Sequence, residues 1–266
     1  MMPSFEGRAA VVTGAAHGIG RATAELLSSL GARVVAVDHD QRALENVCQG
    51  GGCTPCVGDL AGDGVEQLAE DIWNVHGPVD LLVNNVGIGR VRRFLEADAD
   101  DFNAVFNTNL RGPWFFTKRL VQHLVDERRG GGIVFVSSVQ DRVVASDPTY
   151  STSKAAVSML VKELASELGP HGIRVNAVSP GLVHTASNPT TDDSPLTRFV
   201  PLGRVGEPAD IAHVIAVLLS EDWSGYVTGA NVPVDGGLPL HSVFTEPDGR
   251  RRGRMAVRRL LRRTPS

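Results

Sequence analysis

Tyr150 and Lys154 are the residues whose types and spacing most directly suggest chemistry. Four positions apart on a helix, two side chains share one face. An ammonium held near a phenol favours the phenolate and draws the phenol down from its ordinary pKa of about 10. A tyrosine tuned in that way can pass a proton near neutral pH. A Tyr/Lys pair at this spacing also occurs on plain helix surfaces, so its weight depends on what surrounds it. Upstream, Ser137-Ser138 closes an apolar run, Ile133–Ser137, that reads as a strand. A serine hydroxyl there could hydrogen-bond a carbonyl oxygen beside the tyrosine.

A second constellation suits a dinucleotide. Thr13-Gly14-Ala15-Ala16-His17-Gly18-Ile19-Gly20 sits between an apolar strand, Ala9–Thr13, and a helix whose apolar positions are Ile19, Ala22, Leu26, Leu27 and Leu30. Glycines at such a turn let the backbone approach a pyrophosphate, and the free amides of the helix N-terminus favour its charge. The spacing differs from the usual G-x-G-x-x-G, and the lack of a lysine excludes a nucleoside-triphosphate P-loop. Asp38 closes the next strand, Arg33–Val37, 18 residues beyond Gly20. A carboxylate there can accept both hydroxyls of an adenosine ribose and would repel a 2′-phosphate, so NAD is preferred over NADP. Taken alone, Asp38 reads equally as a solvated turn or a helix cap.

These residues need a scaffold, and the chain alternates strand and helix patterns throughout. A helix is expected from Asp40 to Gln49, then a short strand before Asp59. Further strands fall at Asp80–Asn84, Ile133–Ser137, Ile173–Val178 and Ala230–Val234. The longest helical patterns run from Asp101 to Glu127 and from Tyr150 to Leu168. Such alternation predicts an α/β fold: one parallel sheet with helices on both faces. No repeat or linker divides residues 1–237, which read as one domain. Thr185–Phe199, rich in Ser, Thr, Asp and Pro, reads as a loop outside the carboxyl end of a strand, where open α/β sheets bind ligands.

Composition narrows the function classes. With 266 residues, 42% of them hydrophobic and 21% charged, the chain can bury a sizeable core. No apolar run reaches the roughly 18 residues a membrane span needs. The first residues carry no basic-then-apolar leader, and three cysteines cannot all pair, so the expectation is a cytoplasmic protein. Cys48, Cys53 and Cys56 have an iron–sulfur-like spacing without a fourth cysteine, and they read as structural or incidental thiols. No zinc-protease or serine-hydrolase motif occurs, the histidines show no ligand spacing, and no metal is expected. Net charge is −4, but residues 240–266 hold eight arginines against Glu246 and Asp248. The main body is therefore acidic, which disfavours nucleic acid.

Taken in order, the Gly14–Gly20 turn, Asp59-Leu60, Asn84-Asn85-Val86-Gly87, Asn107-Thr108-Asn109-Leu110, Ser138, Tyr150 with Lys154, Ser179-Pro180-Gly181 and Val234-Asp235-Gly236-Gly237 resemble the short-chain dehydrogenases/reductases. The resemblance spans about residues 5–237. It implies a single Rossmann-type domain with a doubly wound, seven-stranded parallel sheet, and a catalytic set of Asn109, Ser138, Tyr150 and Lys154. It also implies a nicotinamide cofactor held by Gly14, His17, Gly18, Ile19, Gly20, Asp38, Asp59, Leu60, Asn85, Gly87, Tyr150, Lys154, Val183 and Thr185. Asp59-Leu60 would lie against the adenine, and Val183 and Thr185 would approach the nicotinamide carboxamide. In the implied mechanism Tyr150 exchanges the hydroxyl proton as hydride moves. Lys154 tunes the tyrosine and holds the nicotinamide ribose, Ser138 orients the substrate oxygen, and Asn109 keeps a water that links Lys154 to solvent. A homotetramer is implied as well.

Two departures stand out. Val86 replaces the alanine common in relatives and could narrow the adenosine side. Counting along the fifth strand makes Ser138 the active serine, whereas the family's usual spacing back from the tyrosine gives Ser137. The function expected is hydride transfer between NAD(H) and a small secondary alcohol or ketone. The alternatives are a 3-oxoacyl-thioester (acyl-carrier-protein) reductase using NADPH, and a nucleotide-sensing regulator, which would need the nucleotide site but not the proton relay. Residues 238–266 form an arginine-rich extension. Arginines 254, 258, 259, 262 and 263 would fall on one half of a helix and Ala256, Val257, Leu260 and Leu261 on the other. Such a segment could touch an anionic surface through residues 249–266, or stay solvated and without fixed structure.

Overall fold

In a computed structural model, which describes residues 3–185, 194 and 196–240, seven parallel strands form one sheet in the order β3-β2-β1-β4-β5-β6-β7. The strands are β1 (Ala9–Thr13), β2 (Arg33–Asp38), β3 (Thr54–Val57), β4 (Leu81–Asn84), β5 (Gly131–Val136), β6 (Ile173–Pro180) and β7 (Asn231–Val234). The winding direction reverses between β1 and β4, so the crevice past their carboxyl ends is where an open sheet of this kind takes a ligand. The expected amphipathic tail lies outside the described residues, as does most of the Thr185–Phe199 loop.

Strand periodicity sorts the core into two layers. Val11, Val35 and Val37 point to one face, against α3 (Val65–His76), α5 (Gly112–Asp126) and α6 (Pro148–Leu168). Ala10, Val12, Val34 and Ala36 point to the other, against α1 (Gly18–Ser29), α2 (Gln41–Cys48) and α7 (Pro208–Leu219). With both faces covered, the central strands show continuous apolar runs rather than alternation. β1 and β5 are buried along their whole length.

Local chemistry sets the boundaries that matter for the site. α6 begins at Pro148, two residues before the expected start, because Asp147 caps it and proline suits a first helical position. That places Tyr150 in the first turn. The expected helix over residues 101–127 is three pieces. They are α4 (Ala99–Phe106), a single π-helical turn over Asn107–Arg111, and α5. One-turn π insertions re-aim side chains and cluster at functional sites; here the turn carries Asn109 inward, 2% exposed.

The cysteines depart from expectation. Cys48, at the end of α2, and Cys53, before β3, are joined by a disulfide across a five-residue separation. The turn between them, Gln49-Gly50-Gly51-Gly52, folds back and brings their Cα atoms to 5.0 Å. Cys56 is the free thiol, half-buried in β3, and burial pushes its pKa up.

Candidate active site

A cleft of about 770 Å³ opens past the carboxyl ends of the strands. Its walls bring together most of the residues singled out from sequence: Gly14, His17, Gly18, Ile19, Asp38, Asp59, Leu60, Asn85, Gly87, Ser138, Tyr150, Lys154, Val183 and Thr185. Gly20 and Asn109 do not line it but stand directly behind it. Gly14 holds φ +64°, and a Cβ on Gly20 would fall 2.0 Å from the Gly14 carbonyl oxygen. The turn therefore tolerates no side chain at position 20, and its backbone is left free to face the cleft. Asn85 ties this turn to the end of β4, donating from Nδ2 to the carbonyl oxygens of Thr13 at 3.0 Å and Gly14 at 3.1 Å.

At the outer end of the cleft, Asp38 is 6% exposed. One carboxylate oxygen accepts from the Ala16 amide at 3.1 Å and the other from the Asp40 amide at 3.0 Å. The His39 ring stands 3.2 Å from it, and among the described residues no lysine or arginine lines this end. His17 leans on Asp40 at 3.4 Å. Asp59 turns one oxygen to the Ala61 amide at 2.9 Å, and Leu60 is buried beside it. Val86 packs its side chain partly into the core while lining the cleft.

At the inner end, the Ser138 hydroxyl stands beside the Tyr150 phenol and accepts from the Gln140 amide at 3.2 Å. Ser137 is turned away: its hydroxyl engages the Lys154 carbonyl oxygen at 3.2 Å and the Ser158 hydroxyl at 3.1 Å. The geometry thus separates the two serines that sequence left open, and Ser138 is the one beside the phenol. Lys154 Nζ lies 5.6 Å from the centre of the Tyr150 ring and donates to the Val136 carbonyl oxygen at 2.9 Å. Asn109 clamps Ile88, donating to its carbonyl oxygen at 3.0 Å and accepting from its amide at 2.8 Å, and it also donates to Ser153 Oγ at 3.0 Å.

The electrostatics differ from the expectation built on the Tyr/Lys pair alone. Burial pushes the Tyr150 phenol up; the polar Ser138 hydroxyl beside it pulls it down, and the Asp147 carboxylate pushes it up again, with a net rise. Lys154, in turn, is drawn down to about 8 by burial. Desolvation thus outweighs the attraction that the spacing suggested, because Lys154 is buried and Tyr150 is half-buried. Sequence reasoning missed Val136, whose contribution is a backbone carbonyl; it expected residues 88–95 to shape the pocket without singling out Arg90, which lines the cleft from that loop after β4. A carbonyl carries no residue signal, and Arg90 lies in an irregular segment without periodicity.

Residues 14–239 match a family model described as enoyl-(acyl carrier protein) reductase. The human L-xylulose reductase is 40% identical over 239 residues, covering 87% of this chain and 96% of that protein. The chain belongs to the short-chain dehydrogenases/reductases. A 3-oxoacyl-[acyl-carrier-protein] reductase of Thermotoga maritima is 37% identical, covering 89% of this chain and 99% of that one. A short-chain type dehydrogenase/reductase from Mycobacterium marinum superposes with a TM-score of 0.83 at 30% identity, covering 90% and 97% of the two chains. This short-chain dehydrogenase/reductase is accordingly an oxidoreductase of CH–OH groups that uses a nicotinamide cofactor. The cleft fits that group: a glycine-rich turn faces one end, and a Ser–Tyr–Lys cluster faces the other.

Proposed function

We propose that this protein interconverts a polar secondary ketone and its alcohol with NAD(H), and that Tyr150 is the proton-transferring group. One observation carries the reading: Ser138, Tyr150 and Lys154 meet at the inner end of the same cleft whose outer end presents Asp38. Asp38 would hold the adenosine ribose hydroxyls and repel a 2′-phosphate, which favours NAD. Asp59 and Leu60 would flank the adenine, while Val183 and Thr185 would reach the nicotinamide side. Bound cofactor supplies the hydride acceptor or donor.

The chain's own residues handle geometry and the proton. Ser138 and Tyr150 present two hydroxyls to one substrate oxygen. With its pKa raised, Tyr150 is a neutral phenol at pH 7 and is set to donate its proton as a ketone is reduced. Lys154 places its ammonium beside the phenol and supports the negative charge left on it. Asn109 holds the Ile88 segment and Ser153 in place, so the wall opposite Tyr150 keeps its shape. Arg90 adds a charged donor to that wall and suits a hydroxyl- or carboxylate-bearing substrate. The likeness to L-xylulose reductase supports a sugar-like ketone.

A 3-oxoacyl-thioester reductase is the second reading, favoured by the family model's description and the Thermotoga relative. The two readings part on substrate. A panel of polyhydroxy ketones, simple ketones and 3-oxoacyl thioesters, followed by NADH absorbance, should show turnover of the first group. Tyr150→Phe should abolish it while cofactor binding persists; activity retained in that variant would remove Tyr150 from the mechanism.

A further inference from the structure

Behind the Ser138–Tyr150 pair lies a carboxylate that the mechanism above does not use. Asp141 ends the short 3₁₀ turn, Val139–Asp141, that follows Ser138, and its side chain is 4% exposed. One of its oxygens accepts from Ser158 Oγ at 2.6 Å on α6 and from Asn231 Nδ2 at 2.6 Å on β7, and it lies 3.1 Å from Ser179 Oγ on β6, whose single proton it shares with Asn231 Oδ1 at 2.7 Å. The other accepts from Arg142 Nε at 2.8 Å. Side chains from α6, β6 and β7 and the adjoining Arg142 converge on this one group, and a carboxylate, which only accepts, offers lone pairs on both oxygens to receive them. Burial would push this carboxyl up, but the hydrogen bonds from Arg142, Ser158 and Ser179 and the Arg142 charge outweigh it and hold the group below its ordinary range.

Two arms run from Asp141 to the reacting side chains. Its amide donates to the Ser138 carbonyl oxygen at 3.0 Å, which closes the turn that aims the Ser138 hydroxyl. Through Ser158 it reaches the Ser137 hydroxyl, which is bonded to the Lys154 carbonyl oxygen. Ser138 sits at the end of β5 and Tyr150 and Lys154 sit on α6, so their separation depends on how the strand end and the helix are locked together. The carboxylate spans that junction.

We propose that Asp141 is a positioning residue: an ionised anchor that sets the spacing between Ser138 and the Tyr150–Lys154 face of α6. The inference rests on the proton-transfer reading of Tyr150. Asp141→Ala removes the acceptor. Asp141→Asn keeps the shape and can turn its oxygen to Ser158, Ser179 and Asn231, but its NH2 then meets Arg142, another donor. Displacing a reacting group by about 1 Å can cost on the order of 100-fold in rate. The alanine variant should therefore lose at least about ten-fold in kcat, with the asparagine variant between it and wild type. NAD affinity should stay within about two-fold, because the anchor touches no residue of the nucleotide turn.

A second readout is independent of turnover. The chain has two tyrosines, and Tyr226 is fully exposed. In protein labelled with ¹³C at tyrosine Cζ, Tyr226→Phe assigns the Tyr150 resonance, which reports the surroundings of the phenol beside Ser138 at neutral pH. In both Asp141 variants this resonance should move toward its position in Ser138→Ala. A wild-type resonance with wild-type kcat overturns the proposal. So does a loss of kcat and NAD binding in equal proportion, which marks a fold defect alone. If the alanine variant does not fold by circular dichroism, the asparagine variant decides between these outcomes. If wild type turns over no alcohol or ketone, the functional reading fails, while the resonance still judges Asp141.

Discussion

Lys154→Met should make the folded protein more stable at pH 7 and should lose that advantage as the pH rises. Lys154 is 3% exposed, and burial draws it from the ordinary 10.5 to about 8. Below pH 8 the folded protein carries the ammonium in a desolvated site, at a cost of about 3 kcal/mol relative to the unfolded chain. Between about 8 and 10.5 the unfolded state binds the proton and the folded state does not, so this contribution to stability rises with pH and the cost fades. Methionine has similar length and no charge, but it forfeits the hydrogen bond to the Val136 carbonyl oxygen, worth about 1 kcal/mol. The variant should then be about 2 kcal/mol more stable than wild type at pH 7. By pH 9.5 the advantage should shrink by about 2 kcal/mol. Urea unfolding of both proteins without cofactor, at pH 7 and pH 9.5, measures the difference directly. An advantage that does not change with pH would refute the assignment of the cost to a buried ammonium, and so would a variant less stable than wild type at pH 7. The variant should also be inactive, since the charge that supports Tyr150 is gone.

Asp38→Ala should narrow the preference for NAD over NADP, because it removes both the ribose acceptor and the repulsion of a 2′-phosphate; steady-state kinetics with both cofactors measure the ratio, and equal use by the unmodified protein would contradict the assignment. Because burial and Asp147 keep Tyr150 protonated through neutral pH, ketone reduction should hold from pH 6 to about 8 and fall above it as Lys154 loses its proton. Alcohol oxidation should instead climb with pH, since it needs the phenolate, and matching profiles for the two directions would count against Tyr150 as the shared group. Phe102 on α4, Trp114 on α5 and Met159 on α6 leave about half of their surface exposed, as helices packed between subunits would. Light scattering should give the mass of four chains, and a monomer would remove that explanation.

Much of the site was legible in the chain itself. The run Ala9–Thr13 announced a strand, and the glycine turn and Asp38 announced residues that the fold brings to one cleft, because each depends on residue type at short range: backbone freedom, β-propensity and charge. Tyr150 and Lys154 could be read as one face because helix periodicity alone puts them there. What sequence could not supply were the consequences of packing. The choice between Ser137 and Ser138 turned on which hydroxyl faces α6 and which faces the cleft. The rise at Tyr150, opposite to the effect expected of a neighbouring lysine, came from desolvation, which depends on everything around the pair rather than on its spacing. The π turn that carries Asn109 inward looked like ordinary helix, since its residues, Asn107–Arg111, fit either winding. The Cys48–Cys53 bond depended on how tightly the intervening glycines fold. The gathering of Ser158, Ser179 and Asn231 around Asp141 joins residues as far as 90 positions apart, which only the closed sheet brings within hydrogen-bond reach.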